Sequence, residues 1–248
     1  MAHILSEVGW RTAVLAGGYK TYRRHVQTRL YDERPPLKLV LLEGRTGSGK
    51  TDVLNRLPAR GVQAIDLEGL AAHRGSLLGA LVGVAQPSQK MFESQLLATL
   101  DALDPARPIV VEAESSKVGE RMVPPSLWSA MSVAPRITLS APLEARARYL
   151  AAGYADVVAE RAVFEDALNR LPTFPGRKRI DAWLALADVG ALDQLAGELM
   201  ELHYDPAYER SQRKDPHPRI GEVALAGLGP DELDRAACEV SAIVNGLG

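Results

Sequence analysis

Gly44-Arg45-Thr46-Gly47-Ser48-Gly49-Lys50-Thr51 is the stretch whose reading decides the fold. It follows the apolar run 38–42 and opens into a helical pattern carried by Asp52, Val53, Leu54 and Leu57. Strand, glycine-rich turn and helix in that order make the frame a phosphate-binding P-loop needs. Gly44, Gly47 and Gly49 let the backbone turn sharply and aim several N–H groups into one nest. A polyphosphate can sit there, against the positive end of the following helix. Arg45, Thr46 and Ser48 complete the expected cradle, and Lys50 adds a full charge on the outer phosphates. Thr51 offers its hydroxyl to Mg²⁺, an ion that keeps several waters and takes few protein ligands. The competing reading is a glycine-rich turn that only links strand to helix, but a full eight-residue match in this frame argues for a phosphorylated ligand.

The bulk properties set the surrounding limits. A chain of 248 residues can bury a real core as one large domain, or one domain plus a fragment. Lysine and arginine nearly balance aspartate and glutamate at a net charge of −2, so any nucleic-acid contact must come from local patches. Cys238 is the only cysteine, which excludes an intrachain disulfide and a multi-cysteine metal cage. Residues 1–14 carry no charged leader followed by an apolar core, and the apolar runs are too short to span a bilayer. These features predict a soluble cytoplasmic α/β protein with no membrane partner.

Residues 2–8 read as a short helix, 11–15 as a short strand, and 19–30 as a helix with a basic edge. One short strand cannot close a core without neighbours, so 1–31 reads as the tail of another domain. The paired prolines in 32–37 mark a linker. From 38 onward strands alternate with helices, the signature of a parallel sheet with crossover helices. Strands are expected at 38–42, 62–66, 108–112 and 136–140, and helices at 50–57, 89–103, 125–131 and 142–151. Helices at 157–171, 179–189 and 192–203 make the later part mostly helical, before an edge strand at 219–226 and a helix at 230–244. The expected fold class is therefore α/β: a P-loop NTPase-like parallel sheet flanked by helices, over 38–248, with a helical C-terminal extension.

Ligands of open α/β sheets bind beyond the carboxyl ends of the strands. Two strands end there in acids: 108–112 finishes at Glu112 with Glu114 two residues on, and 62–66 finishes at Asp66 with Glu68 beyond. Either acid can orient a water on Mg²⁺ or act as a general base; Glu112 is favoured beside the metal because its strand is more continuously apolar. The long connection 67–90 carries His73 and Arg74 beside Gly75, and a connection of this length is usually functional or disordered. Lys117 sets one more cation after the acid-tipped strand. Basic clusters at Arg23-Arg24, Arg177-Lys178-Arg179 and 210–214 are either solvated faces or an RNA-backbone contact. Tyr204 and Tyr208, near His203, either stack on a base or cover the core.

Five blocks in this order, GRTGSGKT (44–51), IDLEGLAAHRGS (65–76), QPSQKMFE (86–93), VEAESSKVG (111–119) and HYDPAYERS (203–211), resemble tRNA 2-selenouridine synthase. The block LAGGYKTYR (15–23) looks like the junction after that family's rhodanese-like domain, which would make 1–31 a truncated rhodanese-like remnant. The resemblance implies an enzyme acting on the wobble uridine in the anticodon region of tRNA. There 2-thiouridine is S-geranylated from geranyl diphosphate, and selenium from selenophosphate then displaces the geranylthio group. The P-loop would cradle a diphosphate leaving group, with ATP not required. Asp66, Glu68, His73, Arg74, Glu114 and Lys117 would shape the reacting edge, with Thr51 and Glu112 beside Mg²⁺. The family's reactive rhodanese cysteine has no counterpart here, since Cys238 lies in the C-terminal helix as an expected small core residue. A separate rhodanese-like domain then becomes an expected partner. Two other classes compete: a P-loop kinase of a small molecule, with Arg146, Arg148 and Arg161 as lid arginines, and a non-catalytic tRNA-binding fragment.

Overall fold

The computed structural model describes every residue except Met1, Leu15, Arg34, Pro35, Leu77, residues 172–174 and 214–216, and Gly248. Five parallel strands form the central sheet: β1 (Leu39–Gly44), β2 (Gln63–Ile65), β3 (Ile109–Glu112), β6 (Arg136–Ser140) and β7 (Arg219–Ala224), in the spatial order β2-β3-β1-β6-β7. All six residues of β1 and all four of β3 are buried, as strands covered on both faces must be. The period of two then divides β1 between two cores. Val40 and Leu42 pack against α3 (Lys50–Leu54) and α13 (Pro230–Asn245). Leu39 and Leu41 face α4 (Leu67–Ala71), α5 (Gln89–Asp101) and α6 (Pro125–Met131). Because β1 is central, with β3 on one side and β6 on the other, the turn leaving it lies at the point where the strand order diverges.

The later part of the chain is helical, as expected. α7 (Leu143–Gly153), α8 (Ala155–Ala159), α9 (Arg161–Asn169), α10 (Arg177–Asp188) and α11 (Leu192–Leu199) are followed by a π-helical turn at Met200–Tyr204 and by α12 (Asp205–Gln212). Trp183, Phe164 and Ile180, all fully buried, centre a separate apolar cluster in this region. The single helix expected over 157–171 is two helices broken at Glu160, and the one over 192–203 loosens into the π turn. A two-residue antiparallel hairpin, β4 (Lys117–Val118) with β5 (Arg121–Met122), was not foreseen. Among the described residues no helix is long and apolar enough to cross a membrane.

The N-terminal region departs most from expectation. Its described residues form α1 (Ala2–Glu7), α2 (Gly18–Gln27) and a π turn to Asp32, while 11–14 form no strand and Leu15 lies outside the described residues. No rhodanese-like remnant is recognisable. Instead Val26 and Leu30 pack on Leu97 of α5. Arg23 pairs with the buried Glu93, which also accepts from the Tyr31 hydroxyl at 2.6 Å. The basic edge of α2 is therefore partly internal.

Two buried charge sites tie the sheet to the helical part. Arg146 on α7, 2% exposed, grips Asp205 with both terminal nitrogens at 3.0 and 2.7 Å, and donates to the Thr46 carbonyl at 3.1 Å. Glu43, 1% exposed at the end of β1, accepts from Thr138 at 2.6 Å, from Arg136 and Gln212 at 3.1 Å, and from Arg219 at 3.2 Å. Burial pushes the Glu43 carboxyl up, but the bonds from Thr138, Gln212 and Arg136 outweigh it and hold the group below its ordinary value of 4.5.

Removing Arg146 leaves Asp205 buried with only Arg45 beside it. Arg146→Ala is expected to lose about 3 kcal/mol of stability, read from the shift of a urea unfolding midpoint. For Glu43 the sign follows from the lowered value: its contribution is present above the unfolded carboxyl value of 4.5 and is lost as pH falls through the folded one. Glu43→Gln should therefore melt lower than the parent near neutral pH. Its thermal midpoint should also fall less steeply below about pH 4.5.

Candidate active site

The loop leaving β1 has the conformation its glycines predict. Gly47 and Gly49 take φ of 77° and 75°, which L side chains rarely adopt. A Cβ on Gly49 would also stand 2.8–2.9 Å from Leu233 and Leu228, so the turn is packed as well as curved. Lys50 Nζ donates back to the Gly44 carbonyl at 3.2 Å. The helix after the loop is shorter than expected, five residues at Lys50–Leu54, so the loop N–H groups and Lys50 contribute more than a helix dipole.

Beyond the carboxyl ends of β2 and β3 the acids meet. Thr51 donates its hydroxyl to Glu68 Oε2 at 3.0 Å, and the Glu68 N–H lies 3.3 Å from Glu112 Oε2. Glu112 is fully buried, and its Oε1 has no hydrogen-bond partner. Burial, then the adjacent Glu114 carboxylate, pushes Glu68 up to about 8, while Lys50 and Thr51 pull it back. Burial, then Glu68 and Asp66, raises Glu112 well above the ordinary carboxyl value. Gly75 comes close to this cluster at φ 68°, where a Cβ would collide with the carboxylates of Glu68 and Glu114. An orphaned buried oxygen beside a P-loop threonine fits a Mg²⁺ held by Thr51, Glu112 and phosphate oxygens. Among the described residues no group of three or more His, Cys, Asp or Glu side chains forms a ready metal cage.

Asp66 has a structural role. Its Oδ1 accepts from the Gly69 N–H at 2.6 Å as the N-cap of α4, and its Oδ2 accepts from Asn55 at 3.2 Å. Of the two strand-end acids, the one aimed at the loop is Glu112. His73 Nδ1 accepts from the Gly75 N–H at 3.1 Å, burial lowers its pKa, and it does not line the cavity described below. Arg74 does line it, bonded to Asp156 at 3.0 and 3.2 Å with its guanidinium 5.1 Å from the Tyr154 ring centre. Glu114 also lines it. Lys117 sits in the hairpin beside Glu120, half exposed and away from the cavity. Arg45 turns its guanidinium from the nest to Asp205 at 3.0 Å and Glu209 at 2.9 Å.

The P-loop opens into a cavity of about 1110 Å³ whose opposite wall comes from α7 and residues 203–208: Tyr149, Leu150, Gly153, Tyr154, Tyr204 and Tyr208 among them. Tyr149 and Tyr154 were not singled out from the sequence. Tyr149 lies on α7 and Tyr154 just past its end, and a tyrosine in or after a helix equally suits packing against a core. Tyr204 meets His203 edge-on at 4.9 Å. None of the arginines read as kinase lid residues lines this cavity: Arg146 holds Asp205, Arg148 is exposed, and Arg161 pairs with Asp188. The basic clusters are largely paired as well, Arg177 with Glu165 and Asp181 and Arg179 with Glu198. Arg24 and Lys178 are exposed, and Lys214 lies outside the described residues. Cys238, expected in the core, is exposed on α13, where Arg60 Nε donates to its sulfur at 3.3 Å.

This geometry coincides with a defined sequence family. The family profile described as the tRNA 2-selenouridine synthase AAA domain matches residues 37–171, more than half of the chain. A tRNA 2-selenouridine synthase of Shewanella loihica is 32% identical over 228 residues, covering 89% of this chain and 58% of that protein. That of Cupriavidus pinatubonensis is 32% identical over 253 residues, covering 90% and 64%. That of Marinobacter nauticus is 40% identical over 191 residues, covering 75% and 47%. The chain thus spans less than two thirds of the length of each of these relatives, and the matched profile takes in the whole phosphate nest with its carboxylate cluster. By profile and by relatives, the chain belongs to the tRNA 2-selenouridine synthase family.

Proposed function

We propose that this chain is a tRNA-modifying transferase module that moves a geranyl group from geranyl diphosphate to the sulfur of a wobble 2-thiouridine. The observation that carries the reading is a phosphate nest and an aromatic, partly apolar wall facing one cavity. A nucleotide kinase needs cations closing over a transferred phosphoryl group, whereas a prenyl diphosphate needs a nest at one end and apolar surface at the other. Cytoplasmic tRNA, through its anticodon region, is the macromolecular substrate in this reading.

In the transfer the bond from the first geranyl carbon to the diphosphate oxygen breaks, and a carbon–sulfur bond forms. The bonding pair leaves on the diphosphate, and the ring N–H proton of the base passes to the departing diphosphate or to water. The loop N–H groups and Lys50 offset the charge that grows on the leaving group. A Mg²⁺ at Thr51 and Glu112 would supply further charge neutralisation. Arg74 and Tyr154 bound the space in which the base and tail meet. In this reading selenium from selenophosphate then forms the carbon–selenium bond as geranylthiol leaves and phosphate is released with a water, a step the resemblance ties to a rhodanese cysteine. Cys238, exposed beside Arg60 and outside the cavity wall, has no place in it, so this step is assigned to a separate rhodanese-like domain.

The test supplies the purified chain with a 2-thiouridine anticodon stem-loop, geranyl diphosphate and Mg²⁺, and follows the nucleoside by mass spectrometry. A geranyl adduct is expected, with the rate falling by about two orders of magnitude or more in Lys50→Ala, as for loss of one charge stabilising a leaving group. No adduct with stem-loop binding intact would leave the chain a tRNA-binding module. Phosphoryl transfer from ATP to a small molecule would replace the reading with a kinase.

A further inference from the structure

Residues 8–31 contain no aspartate or glutamate, yet carry Arg11, Lys20, Arg23, Arg24 and Arg29 in a chain whose net charge is −2. Such an asymmetry suits an anionic partner where the cations face outward. Two of them do not. Arg23 is taken up by buried Glu93, and Arg29 pairs with Asp101 at 2.9 Å and with Glu33 at 3.0 Å. Lys20 and Arg24 are exposed and make no ion pair among the described residues. They stand four positions apart on α2 and so lie one above the other on its outer face. Tyr19 beside them is 60% exposed, its ring centre 6.2 Å from that of Tyr22.

The packing sets where this face lies. Arg23 meets Glu93, Val26 packs on Leu97 and Arg29 meets Asp101, so α2 and the turn after it run parallel to α5. α5 belongs to the crossover between β2 and β3, which are parallel neighbours, so it runs from the carboxyl ends of the strands back to their starts. Its first residue, Gln89, accordingly bonds the Met122 backbone in the hairpin beyond β3, at 2.8 and 2.9 Å. The start of α2, with Tyr19 and Lys20, therefore lies towards the sheet edge onto which the phosphate loop opens. We propose that Tyr19, Lys20 and Arg24 form a seat for RNA, the two cations on backbone phosphates and the tyrosine ring against an unpaired base. The inference rests on the tRNA reading and adds a contact surface outside the cavity. A bilayer fits less well, because α2 already packs its apolar side on α5 and has none left to insert.

Fluorescence anisotropy of a labelled 2-thiouridine anticodon stem-loop with the whole chain, repeated over a salt series, tests the seat. The logarithm of the parent's affinity should fall linearly with the logarithm of salt concentration. Lys20→Gln and Arg24→Gln should each weaken binding and make that slope shallower by about 0.7 to 0.9, one phosphate contact apiece. Tyr19→Leu should weaken binding about fivefold or more at unchanged slope, and Tyr19→Phe should retain parent affinity. Lys178→Gln, which removes an exposed cation on α10, should leave affinity and slope as in the parent. Unchanged slopes in the Lys20 and Arg24 variants of a chain that binds the stem-loop would overturn the seat and leave the tRNA reading standing. A parent that prefers phosphatidylserine vesicles to the stem-loop would replace RNA with a membrane surface. A parent that does not bind the stem-loop at any salt concentration would overturn both the seat and the reading it rests on.

Discussion

The ion pair between Arg146 and Asp205 is the contact on which the rest of the site depends. It lies almost wholly out of water, so each charge is tolerable only because the other is there. Arg146 also accepts no freedom at its third contact, the carbonyl of Thr46, and that bond fixes the phosphate loop against α7. Asp205 begins α12, whose residues Ala207 and Tyr208 form part of the cavity wall. One guanidinium thus sets the loop, the wall and the distance between them. Arg45 adds a second, more exposed pair to the same aspartate.

The acids beyond β2 and β3 are arranged at an energetic cost. Glu68 and Glu112 sit where burial disfavours charge, with the Glu114 carboxylate close by, and both are held above the ordinary carboxyl range. Folding alone gains nothing from such a cluster, while a bound cation would reverse the balance by favouring the ionised forms and releasing protons. Within this cluster the buried Glu112 Oε1 has no hydrogen-bond partner. Gly75 serves this arrangement: it passes the Glu68 and Glu114 carboxylates at φ 68°, a backbone conformation that favours glycine.

Much of the frame was legible in the residues. The P-loop, the four central strands and the mostly helical later part rest on local signals: glycine spacing, apolar runs and capping residues. What misled were residues whose role depends on a distant partner. Asp66 reads as a strand-end acid but caps α4, and Arg23 reads as a surface cation but pairs with buried Glu93. Arg45 reads as a phosphate ligand but reaches α12, 160 residues away. Cys238 shows the reverse error, since an apolar-patterned helix does not announce which of its small residues lies on the outer face. The β4–β5 hairpin, two residues per strand, is too short to leave a period.

By itself the sequence determined that the chain holds a phosphate nest on an α/β sheet, because a nest needs a strand before it and glycine's φ freedom in the turn, used here at Gly47 and Gly49. It also determined the family, through the order of five motif blocks. Tertiary structure alone decided which acid faces the loop, which arginines are taken up in buried pairs, and that α7 runs from the phosphates along an aromatic wall. Those outcomes follow from contacts between segments up to 176 residues apart, where burial and pairing outweigh any preference a residue carries in its own neighbourhood.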